Sequence, residues 1–180
     1  MESSIIPGSA NWFAITVRHQ HERQTGLSLN WKGFETLVPC YKTRRRWSDR
    51  YKDVEVPLFT GYVFCRFEQR EKIRVLNTPG VAKIVEFGGA PAPLCNAEIE
   101  AIQAAIKSRL RLWPSHYLHV GDRVRIERGP LKGVQGTLLR EPDGLRLVIG
   151  VELLQRAVAV ELDAETIVPV HASAAAGWRA

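Results

Sequence analysis

Pro57-Leu58-Phe59-Thr60-Gly61-Tyr62-Val63-Phe64 is the stretch on which the reading of this chain turns. It joins two runs of strand composition, Val54 to Pro57 and Gly61 to Phe67, around a short bend. Strand alternation places Tyr62 and Phe64 on one face of the second run and Val63 and Cys65 on the other. One face belongs to a core and the other is free for a partner, and the pattern alone does not choose between them.

Upstream, Trp12 to Val17 reads as a strand, rich in aromatic and β-branched residues. Residues 18 to 32 read as a helix of weak apolar periodicity, with Gly26 inside it and Gly33 as its stop. Phe34 to Tyr41 reads as a second strand. Between this strand and the opening stretch lies Lys42 to Lys52, which contains Lys42, Arg44, Arg45, Arg46, Arg50 and Lys52 against the single acid Asp49. Trp47 and Tyr51 are interleaved with these cations, and the segment reads as a basic hairpin or loop.

Downstream, Glu71 to Leu76 reads as a short helix closed by Pro79-Gly80, and Val81 to Phe87 as a strand ended by Gly88-Gly89. Asn96 to Leu110 is the clearest helix. Asn96 is its expected cap, Glu98 and Glu100 lie in the first turn, and Ile99, Ile102, Ile106 and Leu110 share one face. Trp113-Pro114-Ser115 then interrupts the pattern. Beyond it come short strand-like runs at Val120 to Ile126, Gly136 to Arg140, Leu145 to Val151 and Ala157 to Leu162. Turn signals at Gly129-Pro130, Gly133 and Pro142-Asp143-Gly144 separate them. Close strand spacing without a helix predicts a small β-barrel. The expected organisation is a loose tail over 1–10, an α+β domain over 11–110 with helices packed on an antiparallel sheet, a linker over 111–117, an all-β domain over 118–170, and a second tail over 171–180.

Apolar residues make up 45% of the 180, the proportion of a folded protein. No apolar run is long enough to span a bilayer, and the N-terminus lacks a basic region followed by an apolar core, so a cytoplasmic protein without membrane contact is expected. The 3 cysteines, Cys40, Cys65 and Cys95, fit neither a disulfide framework nor a metal site. The net charge of +6 suggests attraction to a polyanion. Residues 1 to 110 carry 16 Lys/Arg against 11 Asp/Glu and the remainder 9 against 8, so the first part should make most such contacts. No phosphate loop, nucleophile elbow or metalloprotease motif is present, and His19 and His21 lack companions at ligand spacing. A binding protein without cofactor or metal is expected, rather than an enzyme.

Gly121-Asp122-Arg123-Val124-Arg125-Ile126, followed by Gly129-Pro130-Leu131-Lys132-Gly133-Val134-Gln135-Gly136, resembles a KOW motif. The opening stretch resembles the PLFPGYVFV signature of the N-terminal, or NGN, domain of the NusG family of transcription elongation factors. Leu153-Leu154-Gln155-Arg156-Ala157-Val158-Ala159-Val160-Glu161-Leu162 follows in that family's order, and the resemblance extends over about residues 11 to 170. Arg46-Trp47-Ser48-Asp49-Arg50 is closer to specialised paralogues of the UpxY and RfaH type.

The resemblance implies an NGN domain followed by an SH3-like KOW barrel. It implies a monomeric factor bound to RNA polymerase at the β′ clamp helices, modulating pausing, termination or antitermination. By match to the signature, Phe59, Tyr62 and Phe64 would line the polymerase-binding cavity, with Phe13 and Ile15 or Thr16 beside them on the first strand. Arg18, His19, His21 and Arg23 would lie near the non-template DNA strand of the transcription bubble. Arg44, Arg45, Arg46, Trp47 and Arg50 read as further nucleic-acid contacts, the arginines offering forked donors to phosphate. Leu131, Val134, Leu153 and Leu154 would form the KOW surface for Rho or a small-subunit ribosomal protein. Housekeeping members commonly place an aromatic at the Val134 position and a glycine at the Gln155 position, so this chain departs from them there. The alternative reading is a KOW-containing RNA-binding or ribosome-associated module.

Overall fold

Asn11–Val17 forms β1, the spine of the N-terminal domain, in a computed structural model that describes residues 9–47, 50–116, 122–126, 128–141, 144–162 and 167–169. β1 pairs antiparallel with β5 (Tyr62–Phe67) on one side and with β6 (Val81–Ile84) on the other. β2 (Glu35–Leu37) adds to the far edge of β5, giving a four-stranded sheet in the order β2-β5-β1-β6. Two helices cover one face of it. Helix α1 (Glu22–Trp31) and α2 (Lys72–Leu76) contribute Leu29 and Val75 to a core with Phe13, Ile15, Val63, Cys65 and Phe67. Gly26, which weakens the helical pattern, is needed for close approach: a Cβ there would meet Val38 Cγ2 at 2.7 Å. Gly33 ends the helix region at φ 89°, as expected of a left-handed stop.

Helix α3 (Asn96–Lys107) covers the opposite face with Ile99, Ile102 and Ala105, against Trp12, Ala14 and Phe64. Its cap position is Cys95, with no side-chain capping bond, and Asn96 is already the first helical residue. α1 is also shorter than the sequence suggests. Residues 18 to 21 form a turn that leads into it, and His21 occupies its cap position without a capping bond.

The expected strand over 34 to 41 breaks at Val38-Pro39. Its second half continues as β3 (Cys40–Arg46), which pairs with β4 (Tyr51–Pro57) in a separate two-stranded ribbon. The basic segment is therefore a hairpin. Ser48 and Asp49 at its tip lie outside the described residues. A small ribbon of β7 (Glu86–Phe87) and β8 (Ala90–Pro91) follows β6, because the run from 81 to 87 breaks at Val85.

The C-terminal half is all β. β9 (Leu112–His116), β10 (Asp122–Ile126), β11 (Gln135–Glu141), β12 (Gly144–Val151), β13 (Arg156–Leu162) and β14 (Ile167–Pro169) form an antiparallel sheet in the order β14-β10-β11-β12-β13-β9. The stretch expected to link the two halves thus carries a strand. β9 pairs with β13 from Leu112↔Val160 to His116↔Arg156, and Pro114 is accommodated because β9 is the edge of the sheet. Residues 1–8 of the expected tail over 1–10, the whole expected tail over 171–180, Gly121 of the KOW-like run, and Pro142-Asp143 lie outside the described residues. Among the described residues no helix is long and apolar enough to cross a membrane.

Candidate functional site

Antiparallel register decides which residues share a face. Ala14 lies opposite Phe64 and Thr16 opposite Tyr62, while Phe13 lies opposite Cys65 and Ile15 opposite Val63. Tyr62, Phe64 and Thr16 therefore stand together, with Trp12 and Ala14 continuing the row. Phe13 and Ile15 do not join them. They point to the other side of the sheet and are buried beneath α1 and α2. This corrects the expected site: members of one strand two residues apart share a face, so Phe13 and Ile15 go together, but on the wrong side.

Phe59 sits in the turn before β5, fully buried, with its ring edge-on to Phe64 at 5.1 Å between centroids. The turn is held from behind by Glu22 of α1, a buried carboxylate that accepts the Gly61 N–H at 2.8 Å. Val17 N–H also donates to the Gly61 carbonyl. Glu22 was not picked out from sequence, since a lone acid at a helix start reads as a dipole partner.

The Phe59, Tyr62 and Phe64 face is not open to solvent. It shares a continuous apolar cluster with α3 and with the C-terminal domain, including Leu131, Val134, Leu147, Ile149 and Val158. Polar contacts fasten the two domains. Arg156, at the start of β13, donates to the Thr60 carbonyl at 2.8 Å, and its guanidinium lies 5.0 Å from the centre of the Tyr62 ring. Glu98 in the first turn of α3 accepts the Glu152 N–H at 3.0 Å. Burial raises the Glu98 carboxyl above its ordinary value, against the lowering effect of that hydrogen bond.

The expected KOW residues belong to the same apolar cluster. Leu131 and Val134 are buried, and Leu153 and Leu154, in a 3-10 turn beside Glu152, are half-buried against the same cluster. Gln155, at the position where the resemblance expects glycine, holds φ 50° and ψ 37°, a left-handed conformation. Its amide bonds back to the Glu152 carbonyl at 2.7 Å.

The expected nucleic-acid residues are all at the surface. Arg18, His19 and His21 line the turn before α1, where His21 Nδ1 contacts the His19 carbonyl at 2.8 Å. Arg23 is committed elsewhere: it pairs with Glu55 of β4, pinning the hairpin to α1. Its guanidinium is thus shared with Glu55, in an ion pair that is about half exposed on both sides. On the hairpin, Arg44 lies 5.1 Å from the Tyr51 ring centre and the Lys52 ammonium 5.4 Å from that of Trp47. Arg45, Arg46 and Arg50 make no ion pair among the described residues.

No group of His, Cys, Asp and Glu suited to a metal ion occurs among the described residues. A shallow cleft of about 300 Å³ beside β2 is lined by Lys32, Phe34, Arg66 and Arg74 among others. Its cations are already used: Arg66 pairs with Glu35, Arg74 with Glu71, and Lys32 donates to the Arg74 and Asn77 carbonyls.

Comparison with known proteins agrees with this architecture. The chain is 27% identical over 185 aligned positions to the transcription termination/antitermination protein NusG of Lactococcus lactis subsp. lactis (strain IL1403), covering 95% of this chain and 99% of that one. Its fold is similar to that in the structure described as domain interaction in Thermotoga maritima NusG, with a TM-score of 0.54 and 20% identity, covering 89% of this chain and 97% of that one. The family model described as transcription termination factor nusG matches residues 10–103, more than half of the 180. This chain belongs to the NusG family.

Proposed function

We propose that the chain is a polymerase-bound regulator of transcript elongation, which docks on the β′ clamp helices through Phe59, Tyr62, Phe64 and Thr16. The observation that carries this reading is the cover of that face. The aromatic row is roofed in part by a separate domain, held by a few polar contacts, and a face covered in this way can be uncovered for a partner. Docking then requires the C-terminal domain to move away, and the same movement frees Leu131, Val134, Leu153 and Leu154 for a second partner such as Rho or a small-subunit ribosomal protein. The action is a shift between polymerase states by differential binding, not catalysis. The exposed cations Arg18, Arg44, Arg45, Arg46 and Arg50, with His19, His21 and Trp47, support contact with the non-template DNA strand. The basic hairpin, in which Arg45, Arg46 and Arg50 make no ion pair among the described residues, fits the specialised-paralogue reading.

Co-purification with core RNA polymerase tests the assignment. Arg156→Ala should raise polymerase retention by loosening the cover. Tyr62→Ala should lower it about tenfold or more, the range of an aromatic anchor at an interface. Retention unchanged in Tyr62→Ala, with its circular dichroism intact, would remove the face from consideration. Stoichiometric capture of ribosomal subunits in place of polymerase would favour the ribosome-associated reading.

A further inference from the structure

The β3–β4 hairpin has two chemically different faces, set by its register. On one, Lys42 lies opposite Glu55 and Arg44 opposite Asp53, and Glu55 also takes Arg23 from α1. Those two cations have carboxylates opposite them across the ribbon. On the other, Arg45 lies directly opposite Lys52. The Trp47 N–H donates to the Arg50 carbonyl at 2.7 Å, so this pair continues the ladder and places Trp47 and Arg50 on the same face as Arg45 and Lys52. No acid stands among them within the described strands.

Like charges directly opposite each other on a sheet are destabilising. An Arg45–Lys52 pair beside Arg50, with no carboxylate on that face among the described residues, is a cost to the free protein that a bound anion would relieve. The neighbouring ring points to the kind of anion. Trp47 is 54% exposed, and the Lys52 ammonium lies near its ring centre. An exposed indole beside three cations that make no ion pair among the described residues offers a phosphate backbone its countercharge and a base its stacking surface.

We propose that Arg45, Arg50 and Lys52 around Trp47 form a binding site for single-stranded nucleic acid, with phosphates between the cations and an unpaired base against the indole, and that it works without polymerase. The inference rests on the nucleic-acid contact proposed for the exposed cations, and it adds the hairpin face, the stacking contact with Trp47 and the independence from polymerase. Single strands are selected because a base within a duplex already stacks on its neighbours and cannot reach the ring.

The test is fluorescence anisotropy of the full chain with a labelled oligothymidine of about 12 nucleotides and with a duplex of equal length, over a salt series. The single strand should bind more tightly than the duplex. Trp47→Ala should weaken its binding about 5- to 100-fold, the effect of losing one stacked base, with little change in salt slope. Arg45→Gln/Lys52→Gln should flatten the logarithmic salt slope by about 1.4, two phosphate contacts on a single strand. Lys42→Gln/Lys83→Gln removes the same formal charge from exposed positions outside this face and should change neither property by more than a small fraction of this. Circular dichroism of each variant should match the parent, since the substituted side chains are exposed, and Arg45→Gln/Lys52→Gln should melt no lower than the parent.

Equal loss in the two double variants would overturn the face assignment and leave only general charge attraction. Duplex binding as tight as single-strand binding would overturn the site as drawn. Failure of the parent chain to bind either oligonucleotide, with polymerase co-purification retained, would overturn this site and the nucleic-acid contact together but leave the polymerase reading standing.

Discussion

On one side of the β2-β5-β1-β6 sheet, Phe13, Ile15, Val63, Cys65 and Phe67 are covered by α1 and α2, helices that belong to the same domain. On the other, Trp12, Ala14, Phe64 and Phe59 share an apolar cluster with α3 and with residues of the C-terminal domain, whose Arg156 lies over Tyr62. The first side is sealed by the chain that makes the sheet. There the Cys65 thiol is pushed up to about 12 by burial, as suits a small apolar filler rather than a reactive group. The second side is closed by contacts that include water-exposed arginine and a half-buried carboxylate, and such contacts open at modest cost. Equal burial in a static structure thus conceals unequal permanence, and the difference marks which side is available to a partner.

The largest expected effect lies on the sealed side. Phe67 packs on Phe13 at 4.5 Å between ring centres, and Phe67→Ala should cost about 3–5 kcal/mol in a urea titration. A loss below about 1 kcal/mol would show that this face repacks freely and would erase the contrast. Arg156→Ala should leave global stability almost unchanged but shift the closed-to-open ratio about fivefold, or about 1 kcal/mol after allowance for the exposure of Arg156. Distance measurements between dyes on the two domains would read this directly. No change in distance would mean that the apolar contact alone holds the domains.

Acidity should tune the same closure. Glu98 is raised above 4.5 by burial in the closed form, with the Glu152 carboxylate adding to the rise, so closure favours its protonated state. Its contribution to closure is full below the ordinary value of 4.5 and is lost as pH rises through the raised one. The interdomain distance should therefore lengthen from acid toward neutral pH, and Glu98→Gln, which can still accept the Glu152 N–H, should flatten that profile. A Glu98→Gln profile as steep as the parent's would assign the pH response to other groups. The smallest effect is expected at Gln155→Gly. Relief of a left-handed conformation, at roughly 1–2 kcal/mol, is offset by lost backbone entropy and the lost amide bond. A net gain of about 0.5 kcal/mol should raise the melting temperature by about 1–2 °C.

Much of this arrangement was legible in the residues. Alternation separated Tyr62 and Phe64 from Val63 and Cys65 correctly, and Ile99 and Ile102 mark the buried face of α3. Alternation is a property of one strand, however, and the register between strands is not written in either. Phe13 and Ile15 were assigned beside Tyr62 because nothing in β1 alone shows that Phe13 meets Cys65. β9 escaped notice because Pro114 reads as a break, and only its edge position allows it to remain in a strand. The basic segment reads only as a hairpin or loop, because arginines and lysines have little strand preference, and pairing with each other, not propensity, keeps β3 and β4 extended. The domain contact could not be read at all: Arg156 and Thr60 are far apart in sequence, and each looks like an ordinary surface residue.

β9 also sets how far the two halves can part. Because Leu112–His116 is stitched to β13 and the Arg111 carbonyl accepts the Glu161 N–H, the slack between α3 and the C-terminal sheet shrinks to Ser108, Arg109 and Leu110. Fully stretched, three or four residues reach about 10–14 Å. A domain on so short a leash stays at a high local concentration over the surface it leaves. A partner must therefore outbid a permanently tethered rival, and once it departs the cover should return without any search through solution.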